Sequence, residues 1–300
     1  MPELQDKILQ LKKERNAVIL AHNYQRGEVQ DIADFVGDSL ELARQAAGTK
    51  ADGIAFCGVH FMAETAAILS PDKTVLIPDA GAGCPMANMI TAEQLIARKK
   101  EMPGVPVVTY INSSAAVKAE SDYCCTSSNG VKVVESVPSN DIIFVPDQYL
   151  GHFIQTQTGK NLTLWPGYCP THVKILPEDI LRLKELHPNA KAVVHPECRP
   201  DVVAVADLAT STSGMLRYAR REDVTELIVG TEVDIIHRMK KENPGKKFYA
   251  ASEKAVCPNM KKITLEKLYF ALETMTPVVT VPPDIAARAR AAVDRMVAIA

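Results

Sequence analysis

Three cysteines in this 300-residue chain are each followed by proline: Cys84-Pro85, Cys169-Pro170 and Cys257-Pro258. They stand 85 and 88 residues apart, too widely for a CxxC knuckle, so the spacing points to one thiolate from each of three repeated units. A cuboidal iron–sulfur cluster has a threefold axis through one iron. Three related thiolates would hold the other three irons and leave that one open as a Lewis acid. Zinc with three thiolates and a water is also trigonal and stays open as an alternative. Any one of these cysteines, met alone, reads as a small buried core residue. Recurrence as Cys-Pro at one repeat position turns the reading toward ligation, and the proline stiffens the turn that carries the sulfur.

The rest of each interval repeats too. His22, Tyr110 and His195 each close an apolar run. Twelve residues after them come Asp34, Asp122 and Asp207, and seventeen after them come Ser39, Ser127 and Thr212. Further apolar runs begin at Ile54, Ile142 and Leu227, and the cysteine follows 62, 59 and 62 residues on. Fixed offsets of this kind mark a triplication.

Within a unit, short helices alternate with strands that are continuous apolar runs, AVILA and GIAFC in the first. That pattern predicts parallel sheets covered on both faces. The expected fold is α/β: three repeated αβα three-layer units in pseudo-threefold arrangement around a central cavity. Their expected limits are residues 1–88, 89–175 and 176–262. A C-terminal half-unit over 263–300, read as helix, Pro-bearing turn, strand and final helix, is expected to dock on the first or third unit.

Ligands bind beyond the carboxyl ends of parallel strands, and all the repeated polar positions fall there. His22, Tyr24, Tyr110, Asn112, His195 and Glu197 leave the first strands, forming a set of acid/base groups. Ser39, Ser127 and Thr212 open helices after the second strands. They read either as plain N-caps, Ser39 for the helix LELARQAA, or as donors at three helix N-termini that would bind carboxylate or phosphate. His172 and the GAG turn before Cys84 are secondary candidates. Cys57, Cys124, Cys125 and Trp165 read as packing residues, and Cys198 as a bystander.

A net charge of −2, with no basic stripe, argues against nucleic acid as the main partner. The segment MPELQDKILQLKKERN lacks the apolar core of a signal peptide, and no window approaches the ~20 apolar residues of a membrane span. A cytoplasmic location, with no membrane partner, is expected.

The set AHNYQ, GDS, GAGCPMA, TYINSSAAVKAESD, CTSSN, WPGYCPTH, VHPEC and STSGM resembles quinolinate synthase of the bacterial A type, over essentially the whole chain. The resemblance implies a [4Fe–4S] cluster with Cys84, Cys169 and Cys257 as ligands and one open iron. It implies condensation of iminoaspartate with dihydroxyacetone phosphate to quinolinate, phosphate and water in NAD biosynthesis, with functional coupling to the enzyme that supplies iminoaspartate. His22, Ser39, Tyr110, Asn112, Ser127, His195, Glu197 and Thr212 match substrate-contacting positions, and Tyr24 matches a catalytic tyrosine. Glu197 is the expected general base, with Tyr110 and Tyr24 as proton donors and His22 and His195 on substrate oxygens. Some members carry a CxxCxxC run at the last ligand. Here Cys257 is followed by Pro258, Asn259 and Met260, so a thiol–disulfide switch has no partner there. A cluster-bearing electron carrier and a zinc hydrolase are the competing readings of the same cysteines.

Overall fold

The computed structural model describes residues 2–299. The first unit runs α1 (Pro2–Glu14), β1 (Ala17–His22), α2 (Gly27–Ile32), β2 (Phe35–Gly37), α3 (Ser39–Gly48), β3 (Gly53–Cys57), α4 (His60–Leu69) and β4 (Thr74–Leu76). The second runs α5 (Ala92–Glu101), β5 (Val107–Tyr110), α6 (Ala115–Ala119), β6 (Tyr123–Cys125), α7 (Gly130–Ser136), β7 (Asp141–Val145), α8 (Gln148–Thr158) and β8 (Asn161–Leu164). The third runs α9 (Pro177–Leu186), β9 (Lys191–Val194), α10 (Pro200–Val205), β10 (Leu208–Ala209), α11 (Thr212–Ala219), β11 (Glu226–Gly230), α12 (Ile235–Glu242) and β12 (Lys247–Ala250).

Each unit forms its own four-stranded parallel sheet, in the orders β2-β1-β3-β4, β6-β5-β7-β8 and β10-β9-β11-β12. The connectivity is the same three times, as the repeat predicts. Strands such as β3, buried along its whole length, are covered on both faces, which is why their sequences are unbroken apolar runs. In each sheet the order reverses between the first and third strands, and the crevice beyond their carboxyl ends is where such sheets bind ligands.

The repeated aspartates have a structural job. Asp34, Asp122 and Asp207 each accept a backbone N–H from the neighbouring first strand, from Ile19, Val107 and Ala192, at 2.7–2.8 Å. Each returns its own N–H to that residue's carbonyl. The carboxylate thereby fixes the register of the short second strand.

Two expectations change. Ser39 does not cap α3: Asp38 does, accepting from the N–H groups of Leu40 and Glu41 while the Glu41 side chain accepts from the Asp38 N–H. One carboxylate oxygen, Oδ1, accepts both N–H groups and brings charge against the helix dipole, so it wins over the adjacent hydroxyl. Ser211 likewise caps α11, which leaves Ser39 and Thr212 as first helical residues with their hydroxyls free of that task.

The half-unit's strand is also absent. After α13 (Leu265–Thr274), the segment at Val278 makes one antiparallel bridge to Leu76, with the Val279 N–H donating to Val75. It covers the open edge of β4 in place of extending a sheet, so an edge that would otherwise template aggregation is closed. α13 packs on α1. The final helix α14 (Pro283–Ala298) lies against α4 of the first unit and, beyond what the sequence suggested, against α6 and β6 of the second.

The units are stitched together at their helix N-termini. The Ser128 hydroxyl donates to Asp38 and lies 2.8 Å from Ser211 Oγ, so one residue from each unit meets there. Ser213 adds a bond to Glu41. These contacts close the floor under the central cavity.

Asp122→Ala removes a charge-assisted bond remote from the cavity and is expected to cost about 1–3 kcal/mol of unfolding stability. Urea denaturation checks this. An unchanged midpoint would show that the repeated aspartates do not hold the strands.

Candidate active site

A cavity of ≈ 160 Å³ opens where the three units meet, and the repeated cysteines, hydroxyl residues and strand-end polar residues line it, whereas the repeated aspartates do not. The first unit contributes His22, Tyr24, Ser39 and Cys84; the second Tyr110, Asn112, Ser127 and Cys169; the third His195, Glu197, Thr212 and Cys257.

The three cysteine loops share one local form. Each Cys-Pro runs into a tight turn, Met86–Met89, His172–Lys174 or Met260–Lys262. The backbone N–H groups two and three residues after each cysteine bond its sulfur: Met86 and Ala87, Thr171 and His172, Asn259 and Met260. Two donors per sulfur suit a thiolate bound to metal. As free thiols they are pushed the other way: burial lifts Cys84 to about 12, Cys169 well above the ordinary thiol range, and Cys257 upward. Among the described residues, the one set of three ligand atoms all within 4.8 Å of one another is Cys169, His172 and Glu197. The three sulfurs form no such set: at least one pair stands more than 4.8 Å apart, wider than one small ion draws its ligands. That weighs against the zinc trithiolate reading. Cys57, Cys124, Cys125 and Cys198 are buried in the core.

Beside Cys169 lies a buried polar chain. Tyr24 Oη is 2.5 Å from Thr231 Oγ1, which is 2.8 Å from His172 Nε2. His172 Nδ1 stands 2.8 Å from Glu197 Oε2, and Tyr110 donates its hydroxyl proton to Glu197 Oε1. His195 stacks on His172, ring centroids 4.7 Å apart. Burial by itself raises the Glu197 carboxyl, but His172 and His195 with the Tyr110 hydroxyl outweigh it and hold the group well below the ordinary carboxylate range. Burial, reinforced by Glu197, keeps both tyrosines protonated far above their usual value.

The remaining groups present donors. Burial lowers His22 to about 4 and His195 to about 3, each against the attraction of nearby carboxylates. At neutral pH both rings are neutral. Each Nδ1 accepts a backbone N–H from two residues on, Tyr24 or Glu197, so the ring proton sits on Nε2. From His195 it points to Ser127 Oγ, 3.1 Å away, which leaves the Ser127 O–H free to turn to the cavity. Thr212 follows the same logic. Its oxygen accepts from Asn23 Nδ2 at 3.0 Å, and Arg238, donating to Asn23 Oδ1, fixes the amide that way round. Asn112 Oδ1 is buried without a partner, an acceptor among donors.

Two members of this site were weak or absent in the sequence. His172 is a secondary candidate in the sequence, and the other two loops have Ala87 and Met260 in its place. Thr231 had no signal, since it follows the third strand of its unit, where the others have Gly58 and Pro146.

The family described as quinolinate synthetase A protein matches residues 6–298 of the chain. Proteins named quinolinate synthase are close relatives. One from Dehalococcoides mccartyi is 62% identical over 293 residues, covering 98% of this chain and 97% of the relative. One from Geobacter metallireducens is 57% identical over 296 residues, 99% of this chain and 97% of the relative. One from Methanoregula boonei is 55% identical over 296 residues, 99% and 98%.

The depressed histidines make a pH prediction. Below about 6.5 the unfolded chain takes up protons that folded His22 and His195 refuse until about pH 4 and 3. The unfolded state thus binds more protons in that window, so stability falls as pH drops through it. Urea unfolding of the cluster-free protein between pH 7 and 4 measures this, and His22→Gln is expected to flatten the slope. An equal slope in the variant would count against a neutral buried His22.

Proposed function

The chain belongs to the quinolinate synthetase A family, and on that footing we propose that it condenses iminoaspartate with dihydroxyacetone phosphate, giving quinolinate, phosphate and water for cytoplasmic NAD synthesis. The observation that carries this reading is the convergence of three equivalent Cys-Pro loops and two differently built polar walls on one cavity. Cys84, Cys169 and Cys257 would hold a [4Fe–4S] cluster. When bound, it supplies an iron without a protein ligand, a Lewis acid toward substrate oxygen and nitrogen.

Both substrates are anions, and the wall of His22 Nε2–H, Ser127 O–H and Thr212 O–H offers them neutral donors. Ser39 lies at the N-terminus of α3, whose dipole favours negative charge. Asn112 Oδ1 would accept from the substrate's N–H or hydroxyl group, which an all-donor wall would leave unpaired.

Proton movement falls to the other wall. Tyr24 passes its proton through Thr231 to His172 Nε2, and the resulting phenolate takes a proton from substrate carbon. Glu197, 2.8 Å from His172 Nδ1, stabilises the imidazolium that forms, the role of the carboxylate in hydrolase triads. A carboxylate held so far below its ordinary range is a weak base, so Glu197 works as electrostatic partner and anchor for Tyr110 in place of the general base that its sequence position suggested.

Anaerobic reconstitution with iron and sulfide, followed by a quinolinate assay, tests the reading. Cys84→Ala, Cys169→Ala and Cys257→Ala are each expected to lose the cluster absorption and the activity, whereas Cys125→Ala keeps both. Retention of a full cluster in Cys84→Ala would sink the assignment.

Thr231→Val keeps shape but breaks the link from Tyr24 to His172. It is expected to lower kcat roughly 10²–10⁴-fold with the cluster spectrum intact. Near-normal turnover would remove the relay.

A further inference from the structure

Cys169 Sγ, a His172 ring nitrogen and a Glu197 carboxylate oxygen lie within 4.8 Å of one another. Thiol, imidazole and carboxylate are the ligand types of zinc, and three of them with a water complete a tetrahedron. We propose that in the cluster-free protein this trio binds one soft divalent cation of the zinc class, through Cys169 Sγ, His172 Nδ1 and Glu197 Oε2.

The second observation is the state of His172. Its Nδ1 is buried with no hydrogen-bond partner, although Glu197 Oε2 is only 2.8 Å away. The opposite nitrogen, Nε2, is held by Thr231 at 2.8 Å, as the outer nitrogen of a metal-bound histidine is held by a neighbouring group. Glu197 itself is 3% exposed. Among the described residues its side-chain partners are Tyr110 and two histidines, with no lysine or arginine. Its partners are thus hydroxyl and imidazole groups, with no fixed positive charge among them. A single cation beside it satisfies the oxygen, the free nitrogen and the sulfur together. On binding, the Cys169 thiol releases its proton to solvent, and a carboxylate oxygen and an unprotonated imidazole nitrogen complete the set. The three cysteine sulfurs, more widely spread, offer a lone ion no comparable set.

One consequence rests on the function proposed above: an ion on Cys169 takes one of the three cluster thiolates, so zinc and the cluster exclude each other. Zinc would then act at cluster assembly and leave an already loaded enzyme alone.

The test uses full-length cluster-free protein under anaerobic conditions, titrated with zinc chloride against a chromophoric chelator. One equivalent is expected to bind. Cys169→Ala and His172→Ala should each weaken it on the order of 100-fold or more, while Cys84→Ala and Cys257→Ala leave it unchanged. Cobalt(II) in the unmodified protein gives a check that needs no variant, because its charge-transfer band should report one thiolate and not three. Unchanged affinity in His172→Ala, loss in Cys84→Ala, a three-thiolate cobalt band, or several equivalents insensitive to all four variants would each overturn the site. Zinc-loaded protein should refuse iron and sulfide until the chelator is added, and ready uptake would overturn the exclusion. If zinc behaves as expected while Cys84→Ala takes up a normal cluster, the functional reading fails and the zinc site stands.

Discussion

Helix N-termini converge at the centre of this molecule, and their unpaired N–H groups and positive dipole ends must be answered there. Asp38 and Ser211 answer two of them by capping α3 and α11. Ser128 then ties the two caps to the second unit. The same junction therefore satisfies the helix ends, fixes how the sheets face one another and floors the cavity. Because the caps are supplied by the residues just before Ser39 and Thr212, those hydroxyls are left over. They face a cavity where the helix dipoles favour negative charge, with Lys174 also on its wall.

The triplicated architecture distributes the work unevenly. What repeats is the scaffold and the metal loops: the register-fixing aspartates, the strand order and the pair of backbone donors on each sulfur. The buried polar chain does not repeat. His172 replaces Ala87 and Met260, Glu197 replaces Tyr24 and Asn112, and Thr231 replaces Gly58 and Pro146. A symmetric cluster site needs three like ligands, whereas moving a proton in one direction needs unlike groups in a row.

The loops are also anchored differently. The Cys257 N–H donates to the buried Glu232 carboxylate, which pairs with Lys261 at 2.8 Å. Lys261 bonds the Tyr24 carbonyl, and Arg26 bonds the Lys261 carbonyl. The third cysteine loop is thus tied to the first unit by charged groups, and the position of Tyr24 is tied to it in turn. At the second loop, Gly167 passes so close to the Pro146 carbonyl that a Cβ would lie 2.4 Å from its oxygen, which explains the glycine two residues before Cys169.

The sequence by itself determined the α/β class, the three units, the three Cys-Pro positions as a set and the faces that point inward. All of these follow from local periodicity or from recurrence at fixed offsets, both of which survive in one dimension. The tertiary structure alone decided which hydroxyls are caps, since Asp38 and Ser39 are neighbours and only geometry chooses between them. It decided that the last segment seals an edge antiparallel to β4, because the vacant edge and not the repeat pattern sets the pairing. It also gave Glu197 its place beside His172 and Tyr110, and His172 and Thr231 theirs in the centre. Those roles arise between residues 25 to 207 positions apart, at places where the repeats differ, so neither period nor recurrence could announce them.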